Sequence, residues 1–153
     1  MRLPKEEAFR LAAAFAGAHP DTTSFGRFVD FENYYALRER QDAFLYAAFK
    51  AKGGMPEVTH PLSFVVEGSD YLREWFANGV ETRLPLADVA PEHISFTLGD
   101  SGSTMERTGT IDLLTKEQFF RLLEQHGGDL SALLKEAGRG YVEAQLWSDK
   151  YLK

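Results

Sequence analysis

Ile94-Ser95-Phe96-Thr97-Leu98 alternates a bulky apolar side chain with a hydroxyl at every step. A period of two is the mark of a strand, with Ile94, Phe96 and Leu98 on one face and Ser95 and Thr97 on the other. Leu62-Ser63-Phe64-Val65-Val66, between Pro61 and Gly68, is a second β-branched and aromatic run. Glu81 to Leu86 and Thr108 to Leu114 are further strand candidates with less regular patterns. Tyr141-Val142-Glu143-Ala144-Gln145-Leu146-Trp147 alternates again. Gly99-Asp100-Ser101-Gly102 is read as a turn.

Around these strands the period changes to that of helices. Pro4 suits a first helical turn, and Ala8, Leu11, Ala12 and Phe15 recur at helical spacing up to Gly17. His19 to Ser24 reads as a loop. Asp30 to Lys52 reads as a long helix ended by Gly53-Gly54. Its inward stripe is Tyr34, Leu37, Phe44, Leu45, Ala48 and Phe49, and its wet side is Arg38, Glu39, Arg40 and Asp42. Ser69 caps a short helix, Asp70 to Ala77, closed by Asn78-Gly79. Thr115 and Gln118 form a capping box for a helix reaching Gly127-Gly128, and Asp129 caps another that stops at Gly138. Helices lead and strands follow without β-α-β alternation. The expected fold is therefore α+β, one domain over residues 1–153. A helical part, 1–55, packs on a small, mostly antiparallel sheet in 56–153, with two further helices before a final strand.

Composition narrows the function. Hydrophobic residues make up 44% of the 153, and 12 Phe, 6 Tyr and 2 Trp supply core volume. The net charge is -6, from 23 acidic and 17 basic residues, with no basic cluster. Such a surface repels nucleic acid and anionic membranes, so neither is an expected partner. Without cysteine there is no disulfide, thiolate metal site or cysteine nucleophile. Met1 to Glu7 lacks the apolar stretch of a signal peptide, and the expected location is the cytoplasm. His19, His60, His93 and His126 are too scattered for a metal centre, and no cofactor motif is present.

Gly99-Asp100-Ser101-Gly102 resembles the tetrapeptide around the nucleophile of chymotrypsin-like serine proteases, and His60, Asp88 and Ser101 fall in that family's order. A chain of 153 residues does not hold that family's two barrels. Ile94 to Ser101 also resembles the strand-Gly-Asp-Ser opening of the SGNH hydrolases. Their late Asp-x-x-His is not met, because Leu123 stands three residues before His126. Both comparisons leave a polar turn in which Asp100 and Ser101 cap their own backbone. Phe64 to Val80 resembles the first strand–helix unit of the DarT and tRNA 2′-phosphotransferase branch of the ADP-ribosyltransferases. That resemblance gives Glu143 the place of the catalytic glutamate, with Val65 where a histidine is expected.

The final strand carries the candidate site. Alternation puts Tyr141, Glu143, Gln145 and Trp147 on one face, a carboxylate and an amide between two aromatics. Both polar side chains are expected to be at least partly accessible. One reading is a small acidic intracellular binding protein of the immunity, antitoxin or inhibitor kind. It has a protein partner, no chemistry of its own, and a surface of Glu67, Tyr141, Glu143, Gln145 and Trp147. The alternative is an enzyme or a nucleotide-ligand binder, with Glu143 and His60 as the catalytic candidates in a cleft beside the sheet. A deep aromatic pocket over Glu143 points to the alternative, and a flat face to the partner surface.

Overall fold

The computed structural model describes residues 3–21, 23–77 and 79–152. Helix α1 (Lys5–Ala18) lays Phe9 edge-on against Phe31, ring centroids 5.0 Å apart, and so docks on α3 (Phe31–Ala51). Between them α2 (Thr23–Gly26) is a single helical turn that begins within the expected loop, at Thr23 and Ser24, and runs past it; Thr22 lies outside the described residues. Helix α3 buries Tyr35, Gln41, Asp42, Leu45 and Phe49. Gly53 at φ 88° then turns the chain, and a Cβ on Gly54 would stand 2.5 Å from the Phe49 ring, so only glycine fits there.

Four antiparallel strands make one sheet in the order β1 (Leu62–Val65), β4 (Val142–Leu146), β2 (Ile94–Leu98), β3 (Leu114–Thr115). Strand β4, last in sequence, lies in the middle. Its partners run from Leu62↔Leu146 to Val65↔Glu143 on one side and from Ile94↔Leu146 to Leu98↔Val142 on the other.

The register sorts the side chains onto two faces. Phe64, Ile94, Phe96, Val142, Ala144 and Leu146 form the apolar one. Phe119 of α6 (Lys116–Gln125) and Leu133 of α7 (Leu130–Ala137) cover it, with Phe119 stacked on Phe96 at 4.5 Å. The opposite face carries Ser63, Ser95, Thr97, Glu143 and Gln145. Beyond its end Trp147 stacks on Phe49 at 5.6 Å, in a second cluster with Leu45, Ile111 and Leu113. Every residue of β4 is buried, so both faces of the central strand are covered.

The helix caps follow the sequence. Asp129 accepts from the Ser131 and Ala132 N–H groups, and Ser69 accepts from Leu72 N–H at the start of α4 (Asp70–Trp75). Asn78, expected to close that helix, lies outside the described residues. Thr115 accepts from Gln118 N–H at 3.2 Å while the Gln118 amide oxygen accepts from Thr115 N–H at 3.0 Å. Thr115→Ala is expected to lower stability by about 1 kcal/mol. The urea midpoint should fall at unchanged slope, and an unmoved midpoint would remove the box from the account of α6.

Three expectations change. Glu81 to Leu86 forms no ladder: Pro85 lacks an N–H, and Leu86–Asp88 is a 3-10 turn. Thr108 to Leu114 is not a strand, because Thr108 ends helix α5 (Ser101–Thr108), Gly109 follows in the left-handed region, and only Leu114 and Thr115 pair with β2. The turn at Gly99 to Gly102 opens that same helix. Among the described residues no helix is long and apolar enough to cross a membrane.

Candidate ligand cleft

The polar face of the sheet meets α5 at Glu143. Strand β2 leaves the sheet at Gly99, φ 83°, and Asp100 caps α5 by accepting from Ser103 N–H at 2.6 Å and Ser103 Oγ at 2.7 Å. That turn sets the first residue of α5 over β4. Ser101 donates twice to Glu143 Oε2, from its backbone N–H at 2.8 Å and its Oγ at 2.7 Å. Ser63 Oγ of β1 donates to Oε1 at 2.7 Å. Placing a carboxylate at a helix N-terminus is electrostatically favourable, and Glu143 is only 5% exposed.

The Gly-Asp-Ser turn thus divides its work. Asp100 caps its own helix as expected, whereas Ser101 reaches across to the last strand. Ser101 is fully buried and its hydroxyl also accepts from Gln41 Nε2, so it holds a carboxylate instead of standing exposed as a nucleophile.

Behind Ser101 the network continues along α3. Arg38 Nη1 donates to Gln41 Oε1 at 3.2 Å, Arg38 Nη2 pairs with Asp42 Oδ1 at 3.2 Å, and Asp42 Oδ2 meets His60 Nδ1 at 2.9 Å. Asp42, read as part of the wet side, is 2% exposed. Its place is inward because Tyr35, Asp42 and Phe49 stand seven residues apart on one face. Helices α3 and α5 come close at Gly102, where an added Cβ would stand 3.2 Å from Gln41 Oε1.

Over Glu143 opens a cavity of about 1150 Å³. Ser63 and Glu143 lie on its sheet side, Tyr34 and Arg38 on α3, and Tyr71 and Trp75 on α4. Tyr141 closes another side and donates to Asp100 Oδ2 at 3.4 Å. Burial first, then the charges of Asp100 and Glu143, push the Tyr141 phenol far above its ordinary value, so it stays a protonated donor at any physiological pH. Among the described residues, no group of three or more His, Asp and Glu side chains is placed to hold a metal ion.

The structure divides the candidate residues. Glu143, Tyr141 and His60 line the cavity together. Gln145 and Trp147 do not, both being wholly buried, and the expected accessibility of Glu143 and Gln145 is corrected, since both side chains are buried. Gln145 accepts from Ser95 Oγ at 2.8 Å and donates to Thr97 Oγ1 at 3.0 Å, and the Trp147 indole N–H donates to Ser95 Oγ at 2.9 Å. The physical reason is the cover that α3 lays over the polar face. Glu67 sits exposed in the turn after β1, with φ 57°, and does not line the cavity. Sequence reasoning missed Gln41, Asp42 and the holding role of Ser101. The available signal was the seven-residue spacing of Asp42 from Phe49. Comparison with protein-family models, with curated proteins and with solved structures finds no match to this chain.

Proposed function

We propose that this chain binds a small planar ligand in the cleft over Glu143, the ring lying against the aromatic side chains of α4 and a ligand N–H or O–H donating to the carboxylate. One observation carries the reading. A carboxylate offers about four acceptor positions, and protein donors take three of them, two on Oε2 and one on Oε1. One position on Oε1 remains for a donor from the cavity. A buried acceptor left short of a donor is costly, which gives the site selectivity for ligands that supply one. The cavity has room for an organic molecule of nucleoside size. Binding is favoured over catalysis because the Ser101 hydroxyl is already committed as both donor and acceptor.

A protein-partner surface remains the second reading, on a separate observation. Tyr71 (65% exposed), Phe76 (46%) and Val80 (102%) present apolar surface on and just after α4. The two readings separate in one experiment. Trp75 lines the cavity while Trp147 is sealed, so a ligand should perturb only the first. Titration with nucleosides and small aromatic amines should give a saturable fluorescence change that Trp75→Phe removes. No saturable response to any of them at millimolar concentration would overturn the ligand reading and leave the partner surface.

A further inference from the structure

Arg27 lines the cavity and lies among four aromatic rings. Its guanidinium carbon stands 5.0 Å from the centroid of Trp75, 5.1 Å from Phe28, 5.3 Å from Tyr34 and 5.8 Å from Phe76. Two of these rings belong to α4 and the residue after it, one to the segment leading into α3 and one to α3 itself, so the cation is held in a fixed place between them. Rings satisfy its charge in part and none of its directional N–H bonds. Among the described residues its buried Nε has no hydrogen-bond partner, and no carboxylate lies within ion-pair distance. Buried donors of this kind are rare and call for an explanation. Of the other guanidiniums lining the cavity, Arg38 is already engaged with Asp42 and Gln41, Arg107 is exposed on α5, and Arg139 lies against Gly99.

The cavity's carboxylates do not fill the gap. Asp42 is held by Arg38 and His60, Asp100 by Ser103, and Glu143 by Ser63 and Ser101, while Glu106 is exposed on α5. The cleft thus offers an acceptor at Glu143, aromatic walls, and at Arg27 a positioned cation without its anion. We infer that the ligand carries an oxyanion, a phosphate or a carboxylate, that pairs with Arg27 while its ring donates to Glu143. The inference rests on the ligand reading above. Guanidinium is suited to it because its planar array of N–H groups matches both kinds of oxyanion. Pairing would also tie α4 to the segment leading into α3, because the same guanidinium touches rings from both.

The test uses matched pairs that differ in the oxyanion: adenosine against adenosine 5′-monophosphate, and 4-methylphenol against 4-hydroxyphenylacetate. Binding is measured by calorimetry on the intact chain. In at least one pair the anionic member should bind about tenfold tighter or more, the gain of one charged hydrogen-bonded contact. The nucleotide pair reports phosphate and the phenol pair carboxylate. Only the anionic member's affinity should fall as sodium chloride is raised. In Arg27→Gln the difference within the responding pair should vanish, and in Arg27→Lys part of it should survive. Arg121→Gln, on the distant helix α6, should leave it intact. Should Arg27→Gln fail to fold, the wild-type salt dependence and the lysine variant decide. Neutral members that bind as well as their anionic partners overturn this inference and spare the ligand reading. Failure of every compound to bind overturns both.

Discussion

Trp147→Ala is expected to lower stability by about 3–5 kcal/mol, the range for removing a large aromatic from a packed core. The side chain is wholly buried, stacks on Phe49, meets Tyr46 edge-on, and donates its indole N–H to Ser95. Its removal takes away the largest of the fully buried side chains, between α3 and the polar face of the sheet. Collapse around the gap is limited by Gly54, whose backbone already stands against the Phe49 ring. For a chain of this size the melting temperature should drop by about 6–20 °C. Trp147→Phe keeps the stack and loses the indole donor, so about half that loss or less is expected. Chemical denaturation of the two variants checks the ordering. A loss below about 1 kcal/mol for the alanine variant would mean that the second cluster is not a structural core.

Glu143→Gln should separate folding from binding. The amide oxygen can take the place of Oε2 and accept from Ser101, while the amide nitrogen donates to Ser63, whose hydroxyl can rotate to accept. Every local hydrogen bond is then still made, and stability should fall by about 1 kcal/mol or less. The acceptor position facing the cavity becomes a donor, however, and a ligand N–H now meets another N–H. Affinity should drop about tenfold or more, the worth of a hydrogen bond to a charged group. Glu143→Leu is the contrast. It leaves the buried Ser101 N–H without an acceptor and should cost about 1–3 kcal/mol for that group alone. Thermal melts and ligand titrations of both variants give the comparison. Undiminished affinity in the glutamine variant would end the role assigned to Glu143.

The parts of the fold legible in the sequence were those in which a local pattern and a tertiary need coincide. Ile94, Phe96 and Leu98 alternate because one face of β2 meets α6, and Thr115 with Gln118 announces a helix start that the structure keeps. The last strand was sorted correctly into Val142, Ala144 and Leu146 against Glu143 and Gln145. Its polar face was taken for an open one. Hydropathy cannot tell a polar face met by water from one met by other polar groups, and the cover comes from Gln41 and Leu45, about a hundred positions earlier. The same blindness put Asp42 on the wet side of α3. Tyr141, Glu143 and His60 were found because unusual residues in a strand or at its entry stand out locally. Trp75, Tyr71 and Arg27 were missed as site residues because a short exposed helix and the segment before α3 carry no such mark.

The position of β4 bears on how the chain is made. Strands β1 and β2 never pair with each other; each is bonded to β4, which follows both in sequence. During synthesis from the N-terminus β1 therefore emerges with no partner strand and β2 with only the two-residue β3, and both wait for residues 142–146 before the sheet can close. Until then β1 and β2 expose unpaired edges, the kind of surface that recruits other strands. Glu143 is delivered by the same event, so the cleft cannot be assembled ahead of the sheet. A nascent chain lacking β4 should be a client for holdase chaperones, and the addition of that strand with Trp147 behind it should complete the sheet, the second core and the ligand site together.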